Sequence, residues 1–143
     1  MGNQPRGRST EHPRTASYRC HIDRHHHFEP RPASVRAARR VVALALEDSR
    51  WNGDHDTVLL LASELVTNAV RHAATPFELT VSVNGRGVVV AVVDGDRRHP
   101  PRLCDPGPED THGRGLRIVE ELSESWGTEA MAGDAKRVWF RCS

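Results

Sequence analysis

Residues 77–94 constrain the fold more than any other part of the chain. The first half of this segment, FELTVSV, alternates apolar and polar residues, the pattern of a strand with one buried face. The second half, VVVAVVD, is apolar throughout positions 88–93, which predicts a central strand covered along most of its length. The residues NGRG between the halves predict a turn. We therefore expect a hairpin inside a sheet.

Two helices are predicted before this hairpin. The first runs from residue 33 or 34 to about residue 50, where apolar residues recur at helical spacing and Ser34 is a possible N-cap. The second contains TVLLLASELVTNAVRHA, with its cap expected within residues 54–56. It should end before Pro76, because a proline restricts the residue that precedes it.

A third helix and a second hairpin are predicted after it. In GRGLRIVEELSESWG, a set of apolar residues should face inward and a glycine should end the helix: Leu116, Val119, Leu122 and Trp126, then Gly127. TEAM and RVWFRC flank AGDAK as closing strands, and an edge strand is expected around residues 18–23. This order lacks the regular alternation of a parallel doubly wound fold. It favours an α/β two-layer sandwich with helices on one face of a mixed, mostly antiparallel sheet.

Composition predicts one domain behind a tail. Residues 1–17 are polar and rich in Arg, Pro, Ser and Thr, so we expect a disordered basic tail before a single domain over residues 18–143. Residues 1–40 hold nine arginines and three acidic residues, a charge of +6, whereas the whole chain carries +1. The rest is therefore acidic, which argues against direct nucleic-acid binding.

Cysteine usage and hydropathy indicate the compartment. The three cysteines are far apart and form no CxxC pair, so neither a disulfide framework nor a zinc site is predicted. No apolar run approaches the roughly 18 residues of a membrane span, and residues 1–33 lack the apolar stretch of a secretion signal. We expect a cytoplasmic protein without a membrane contact.

A polar stripe lies on the second helix. Glu64, Asn68 and His72 are spaced four residues apart and fall within about 80° of one another, beside the apolar face. A carboxylate and a carboxamide at the margin of a core cost free energy unless something satisfies them. The pair suits nucleotide chemistry, since a carboxylate takes up protons and an amide oxygen is a Mg²⁺ ligand. Pairing of Glu64 with Arg71 or His72 along the helix is the structural alternative.

Two further features of the sequence also suit nucleotide binding. Asp94 ends the most apolar strand, where a buried carboxylate can accept a hydrogen bond from an exocyclic amine such as that of adenine; an ordinary turn residue is the alternative. HGRGL places Gly113 and Gly115 just before the third helix, where free amides and the helix dipole can face phosphate. A plain loop-to-helix junction remains open for this motif, and no Walker A loop occurs.

A histidine-rich segment stands apart from these features. His21, His25, His26 and His27, with Cys20, allow either metal binding or a solvated turn.

The three sites, in this order, resemble the GHKL ATPase superfamily, and especially its branch of bacterial anti-sigma factor serine/threonine kinases. The similarity covers roughly residues 33–141. It rests on ELVTNAVRHA as the N box, VVVAVVDGD as the first glycine box, HGRGLRIVEEL as the second, and the ending WG…KRVWF.

The resemblance implies a site for ATP and Mg²⁺. Asn68 would coordinate the Mg²⁺, and Glu64 would be the catalytic base. Asp94, followed by Gly95, would hold the adenine amine, with Arg71 and His72 near the outer edge of the nucleotide. The phosphates would be enclosed by the residues of the second glycine box: His112, Gly113, Arg114, Gly115 and Leu116.

The branch also implies protein partners. Its members hold a sigma factor inactive and phosphorylate a serine or threonine of an antagonist protein, and the region of the first helix builds homodimers. The first glycine box departs from the superfamily pattern Asp-x-Gly-x-Gly, because Gly95 follows Asp94 directly and Asp96 comes next. Residues 99–108 correspond to the lid. The alternative is an ATP-binding or purely protein-binding regulatory module of the same fold without kinase activity.

Overall fold

The computed structural model describes residues 21–95 and 112–143, with side chains from residue 115 onward in the second part. Its strands and helices follow in this order: β1 (Ile22–Phe28), α1 (Pro32–Ser49), α2 (His55–Asn68), β2 (Phe77–Asn84), β3 (Gly87–Asp94), α3 (His112–Leu122), β4 (Ser125–Ala130) and β5 (Lys136–Cys142). A π-helical turn, Ala69–Ala73, extends α2. None of the helices in these two ranges is long and apolar enough to cross a membrane. The predicted tail (residues 1–17) and lid (residues 99–108) lie outside the described residues.

The five strands form one sheet in the order β1-β2-β3-β5-β4. All four pairings among them are antiparallel. The predicted central hairpin is confirmed, since β2 pairs with β3 from Phe77 opposite Asp94 to Asn84 opposite Gly87. The α/β two-layer sandwich is confirmed with it, because the three helices pack against this sheet.

The core lies between the sheet and the helices. Alternate residues of β2 and β5 are buried, as the period of two along a strand requires. Six of the eight residues of β3 are buried, in agreement with the predicted coverage of that strand. The largest fully buried side chains come from both layers: Phe77, Phe140, Leu46, Leu61, Leu79 and Leu116. Burial of each contributes roughly 1.5–3 kcal/mol of transfer free energy, which holds the two layers together.

The start of α1 differs from the prediction. Pro32 is its first residue and Arg31 occupies the N-cap position, so Ser34 is not the N-cap. A proline suits the first helical position because its φ is already helical, and because an N–H at that position would have no partner within the helix. Ser34 lies in the first turn instead, where its hydroxyl donates to the carbonyl oxygen of Glu29 at 2.7 Å.

The end of α3 also differs. The helix ends at Leu122, which is 49% exposed and not inward-facing. Trp126 and Gly127 belong to β4, so Gly127 is not a helix stop. The carbonyl oxygen of Val119 accepts both the backbone N–H of Ser123 at 3.0 Å and its hydroxyl, and these bonds close the last turn. From residue 125 onward the backbone groups pair with β5 instead. A longer α3 would leave that edge of β5 without hydrogen-bond partners.

The described part of the histidine-rich segment forms a strand and not a solvated turn. His25, His26 and His27 lie within β1, which begins at Ile22. His25 and His27 share one face of the strand and lie 3.2 Å and 3.6 Å from the carboxylate of Glu78 on β2. Residues 21–95 and 112–143 contain no group of three His, Cys, Asp or Glu side chains arranged to hold a metal ion. Cys20 lies outside those ranges.

Candidate functional site

Helix α2 positions the polar stripe. Asp54 caps the helix by accepting the backbone N–H of Thr57 at 3.1 Å and its hydroxyl at 2.7 Å. Leu61 and Leu65 anchor the neighbouring, apolar face of the helix in the core. With its start capped and its apolar face buried, α2 has only one rotational setting about its axis, and that setting leaves Glu64 and Asn68 at the margin of the core.

The π-helical turn gives α2 an irregular end. Such turns insert an extra residue into the helix and are frequent at functional sites. Arg71 is exposed and His72 half-buried in this turn. The chain leaves the helix at Ala74, whose φ of 49° is left-handed, so the predicted end before Pro76 is confirmed.

Glu64 and Asn68 are both half-buried. Neither side chain has a hydrogen bond or direct ion pair with another residue in the described ranges. Burial raises the pKa of the Glu64 carboxyl, and the positive charge of Arg71 lowers it to a smaller extent. A carboxylate that the protein desolvates without bonding it is free to bind a ligand group or take up a proton.

The first turn of α3 lies directly against this stripe. A Cβ added to Gly115 would lie 2.6 Å from Oε2 of Glu64 and 3.7 Å from Oδ1 of Asn68. Because 2.6 Å is closer than carbon and oxygen approach, only glycine allows this contact without displacing the carboxylate. The structure therefore brings together the N box and the second glycine box, which are about fifty residues apart in the sequence.

The backbone of α3 begins earlier than the sequence indicates. The helix starts at His112 and so includes Gly113 and Arg114 in its first turn. The first-turn N–H groups of a helix lack intrahelical partners and carry the positive end of its dipole. The side chain of Leu116 is 2% exposed and belongs to the core, so this residue can offer a ligand only its backbone.

Asp94 lies at the end of β3, close to the helical layer. It is the last residue of the strand, is 4% exposed, and is not an ordinary turn residue. The N–H of Gly95 donates to the hydroxyl oxygen of Thr75 at 3.0 Å, which ties the first glycine box to the segment that follows the π-helical turn. Opposite Asp94 on β5 lies Lys136, with its Nζ 4.0 Å from Oδ2 of Asp94.

Sequence reasoning missed Lys136 and Thr75. A signal existed for Lys136, because the alternation that buries Val138, Phe140 and Cys142 places residue 136 on the same face. No comparable signal existed for Thr75, whose contact with Gly95 depends on how the helix end meets the sheet.

Comparison with known protein families agrees with this geometry. The family model of the histidine kinase-like ATPase domain matches residues 28–141, which is most of the chain. The chain belongs to the histidine kinase-like ATPase domain family. This membership implies that the domain binds ATP. None of the curated proteins compared with the chain matches it.

Proposed function

We propose that the chain is an ATP-binding regulatory protein of the anti-sigma factor serine/threonine kinase type. It transfers the γ-phosphoryl group of ATP to a serine or threonine of an antagonist protein in the cytoplasm, sequesters a sigma factor, or does both. The observation that supports this proposal best is the close approach of Gly115 to Glu64 and Asn68. This contact brings the side chains that we propose as base and metal ligand next to the helix start that we propose to face the phosphates.

The residues of the stripe fit a magnesium nucleotide. Asn68 offers a hard amide oxygen beside the first turn of α3, and Mg²⁺ prefers oxygen ligands of this kind. When bound, Mg²⁺ supplies positive charge to the phosphate oxygens. The first-turn amides of α3, from His112 to Gly115, bind the same phosphates from the protein side.

Glu64 is the general base of the proposed transfer. The serine or threonine oxygen forms a bond to the γ-phosphorus, and the bond from that phosphorus to the bridging oxygen breaks, so ADP leaves with the electron pair. The hydroxyl proton passes to the Glu64 carboxylate. The raised pKa of this carboxyl suits the role, because a base works best when its pKa approaches the working pH.

Calorimetric titration with Mg-ATP tests the proposal. Asn68→Ala should weaken binding about 10- to 100-fold, the usual cost of disturbing a metal site. Asn52→Ala is the matched control, since Asn52 is an exposed asparagine just before α2, and it should bind like the native protein. Equal binding by native protein and Asn68→Ala would exclude the metal role of Asn68.

The altered first glycine box supports a second candidate, a regulatory module of this fold without kinase activity. Incubation with labelled ATP and a candidate antagonist protein separates the two. A kinase labels the antagonist, and Glu64→Gln abolishes the label. Native protein that binds Mg-ATP and leaves every candidate antagonist unlabelled favours the second function.

A further inference from the structure

The end of the sheet beside Gly95 contains two buried side chains of opposite charge. Asp94 is 4% exposed and Lys136 is 9% exposed. The two are cross-strand partners, and 4.0 Å separates Nζ of Lys136 from Oδ2 of Asp94. Side chains along a strand point alternately to the two faces of the sheet. Asp94 therefore shares a face with the core residues Val90 and Val92, and Lys136 shares a face with the core residue Val138, which is the face that the helices cover.

Stability alone does not explain this pair. Lysine and aspartate are almost never so deeply buried unless they are paired, and their desolvation offsets much of their mutual attraction. Apolar residues of similar volume would hold the strand ends together as well or better. A lysine at an otherwise apolar inward register of β5 therefore points to a task for its charge.

We propose that Lys136 is a positioning residue for recognition of the nucleobase, which keeps Asp94 ionised so that its carboxylate accepts the exocyclic amine of adenine. This inference rests on the proposed function and on the adenine contact that the family resemblance implies for Asp94. An ionised carboxylate only accepts hydrogen bonds, whereas a protonated one also presents a donor. Burial without a neighbouring cation favours the protonated form, and a donor facing the amine would oppose binding.

Other ionisable groups lie on the elements that pack against β3. The helical elements packed against the strand contribute Glu64, Arg71 and His72, and β5 contributes Lys136. The first three remain in place when Lys136 is replaced. A change that depends on Lys136 can therefore be separated from their titration by comparison with the native protein at each pH.

The test compares three variants. Lys136→Met removes the charge and keeps much of the side-chain length, and Lys136→Arg keeps the charge. Arg137→Met is the control, because Arg137 lies on the opposite face of β5 and pairs with Glu129 at 3.4 Å. Dissociation constants for Mg-ATP are measured from about pH 5.5 to about pH 8.5, a range that lies above the ordinary aspartate pKa.

Lys136→Met should bind Mg-ATP about tenfold more weakly than the native protein at the acid end, the cost of one hydrogen bond to a charged group. The difference should shrink as the pH rises, because Asp94 regains its charge. Lys136→Arg and Arg137→Met should follow the native protein. The triphosphate of purine riboside, which lacks the 6-amine, should bind equally to native protein and Lys136→Met.

Three outcomes would overturn the inference. They are equal ATP binding by Lys136→Met at every pH, a loss that does not vary with pH, and an equal loss for the analogue without the amine. If the native protein itself fails to bind Mg-ATP, the proposed function fails instead. The link between Lys136 and Asp94 is then decided without nucleotide, by carbon-13 NMR of the Asp94 carboxyl: proton uptake at higher pH in Lys136→Met supports it, and an unchanged titration overturns it.

Discussion

Asp54 and Glu64 are two carboxylates of one helix in opposite environments. Asp54 caps α2 and accepts two hydrogen bonds from Thr57, which lower the pKa of its carboxyl. Glu64 accepts none from the residues described, and burial raises the pKa of its carboxyl. The protein supplies the hydrogen-bond donors for the Asp54 carboxylate and supplies none for the Glu64 carboxylate in the part of the chain that is described. The difference indicates that Asp54 stabilises the fold, whereas Glu64 is desolvated at a cost in free energy that a bound ligand can offset.

The surroundings of Asp54 show why a cleft alone does not define a site. A cleft of about 330 Å³ lies beside this residue, and its lining includes Trp51, Thr57 and Cys142. Thr57 is already bonded to Asp54. Burial raises the pKa of the Cys142 thiol, and the carboxylates of Asp54 and Glu124 raise it further, so its reactive thiolate is disfavoured. The cleft thus lacks the unsatisfied groups found around Glu64.

The largest effect, a loss of Mg-ATP affinity, is expected from Gly115→Ala, which places a methyl group against Glu64. The new methyl group would meet Oε2 of Glu64 at 2.6 Å, so the carboxylate or the first turn of α3 must shift. We expect Mg-ATP affinity to fall about tenfold or more, because a misplacement of about 1 Å disrupts ligand geometry. Calorimetry measures the loss, and Glu120→Ala, an exposed substitution in the same helix, is the control. Unchanged affinity would show that the contact has no part in binding.

A smaller effect is expected from Asp54→Ala, which removes the cap and leaves the site intact. Loss of an N-cap should lower the unfolding temperature by about 4 °C near neutral pH, with Mg-ATP affinity unchanged. The pKa of Asp54 is depressed in the folded state, so its contribution is present above the ordinary aspartate pKa and is lost as the pH falls through the depressed value. The difference between native protein and variant should therefore vanish in acid.

Thermal unfolding followed by circular dichroism measures this effect. Asp56→Ala, which removes a carboxylate from the same turn but keeps the cap, should change the unfolding temperature less. If the two variants behave alike, general charge near the helix start explains the result and the cap does not.

The smallest effect is expected from Glu64→Gln, and it should have the opposite sign. The charged form of a carboxyl with a raised folded-state pKa costs stability, so the amide should raise the unfolding temperature by about 1–2 °C near neutral pH. The native protein binds the proton more readily than the unfolded chain does, so its relative stability recovers as the pH falls through the raised pKa. The advantage of the variant should shrink over the same interval.

Glu47→Gln, on the exposed side of α1, is the control and should leave the unfolding temperature unchanged. A Glu64→Gln variant less stable than the native protein would mean that the carboxylate stabilises the fold, and the contrast with Asp54 would fail.

Most of the fold followed from patterns within single elements. The alternation in residues 77–83 and the apolar run in residues 88–93 predicted β2 and β3, because each pattern reports which faces of a strand are buried. The prediction failed at the end of α3, where apolar residues continue at helical spacing to Trp126. The competing interaction there is pairing of β4 with β5, and β5 follows later in the chain.

The sequence by itself determined the candidates: its helical period placed Glu64 and Asn68 beside the apolar face of α2, and its strand period placed Asp94 at the end of a buried strand. Only the tertiary structure decided which groups meet them. Gly115 reaches Glu64 because α3 packs on α2, and Lys136 faces Asp94 because β5 is the strand beside β3. Local periodicity depends on neighbours within a few residues, whereas these contacts depend on the order in which distant elements assemble around a common core.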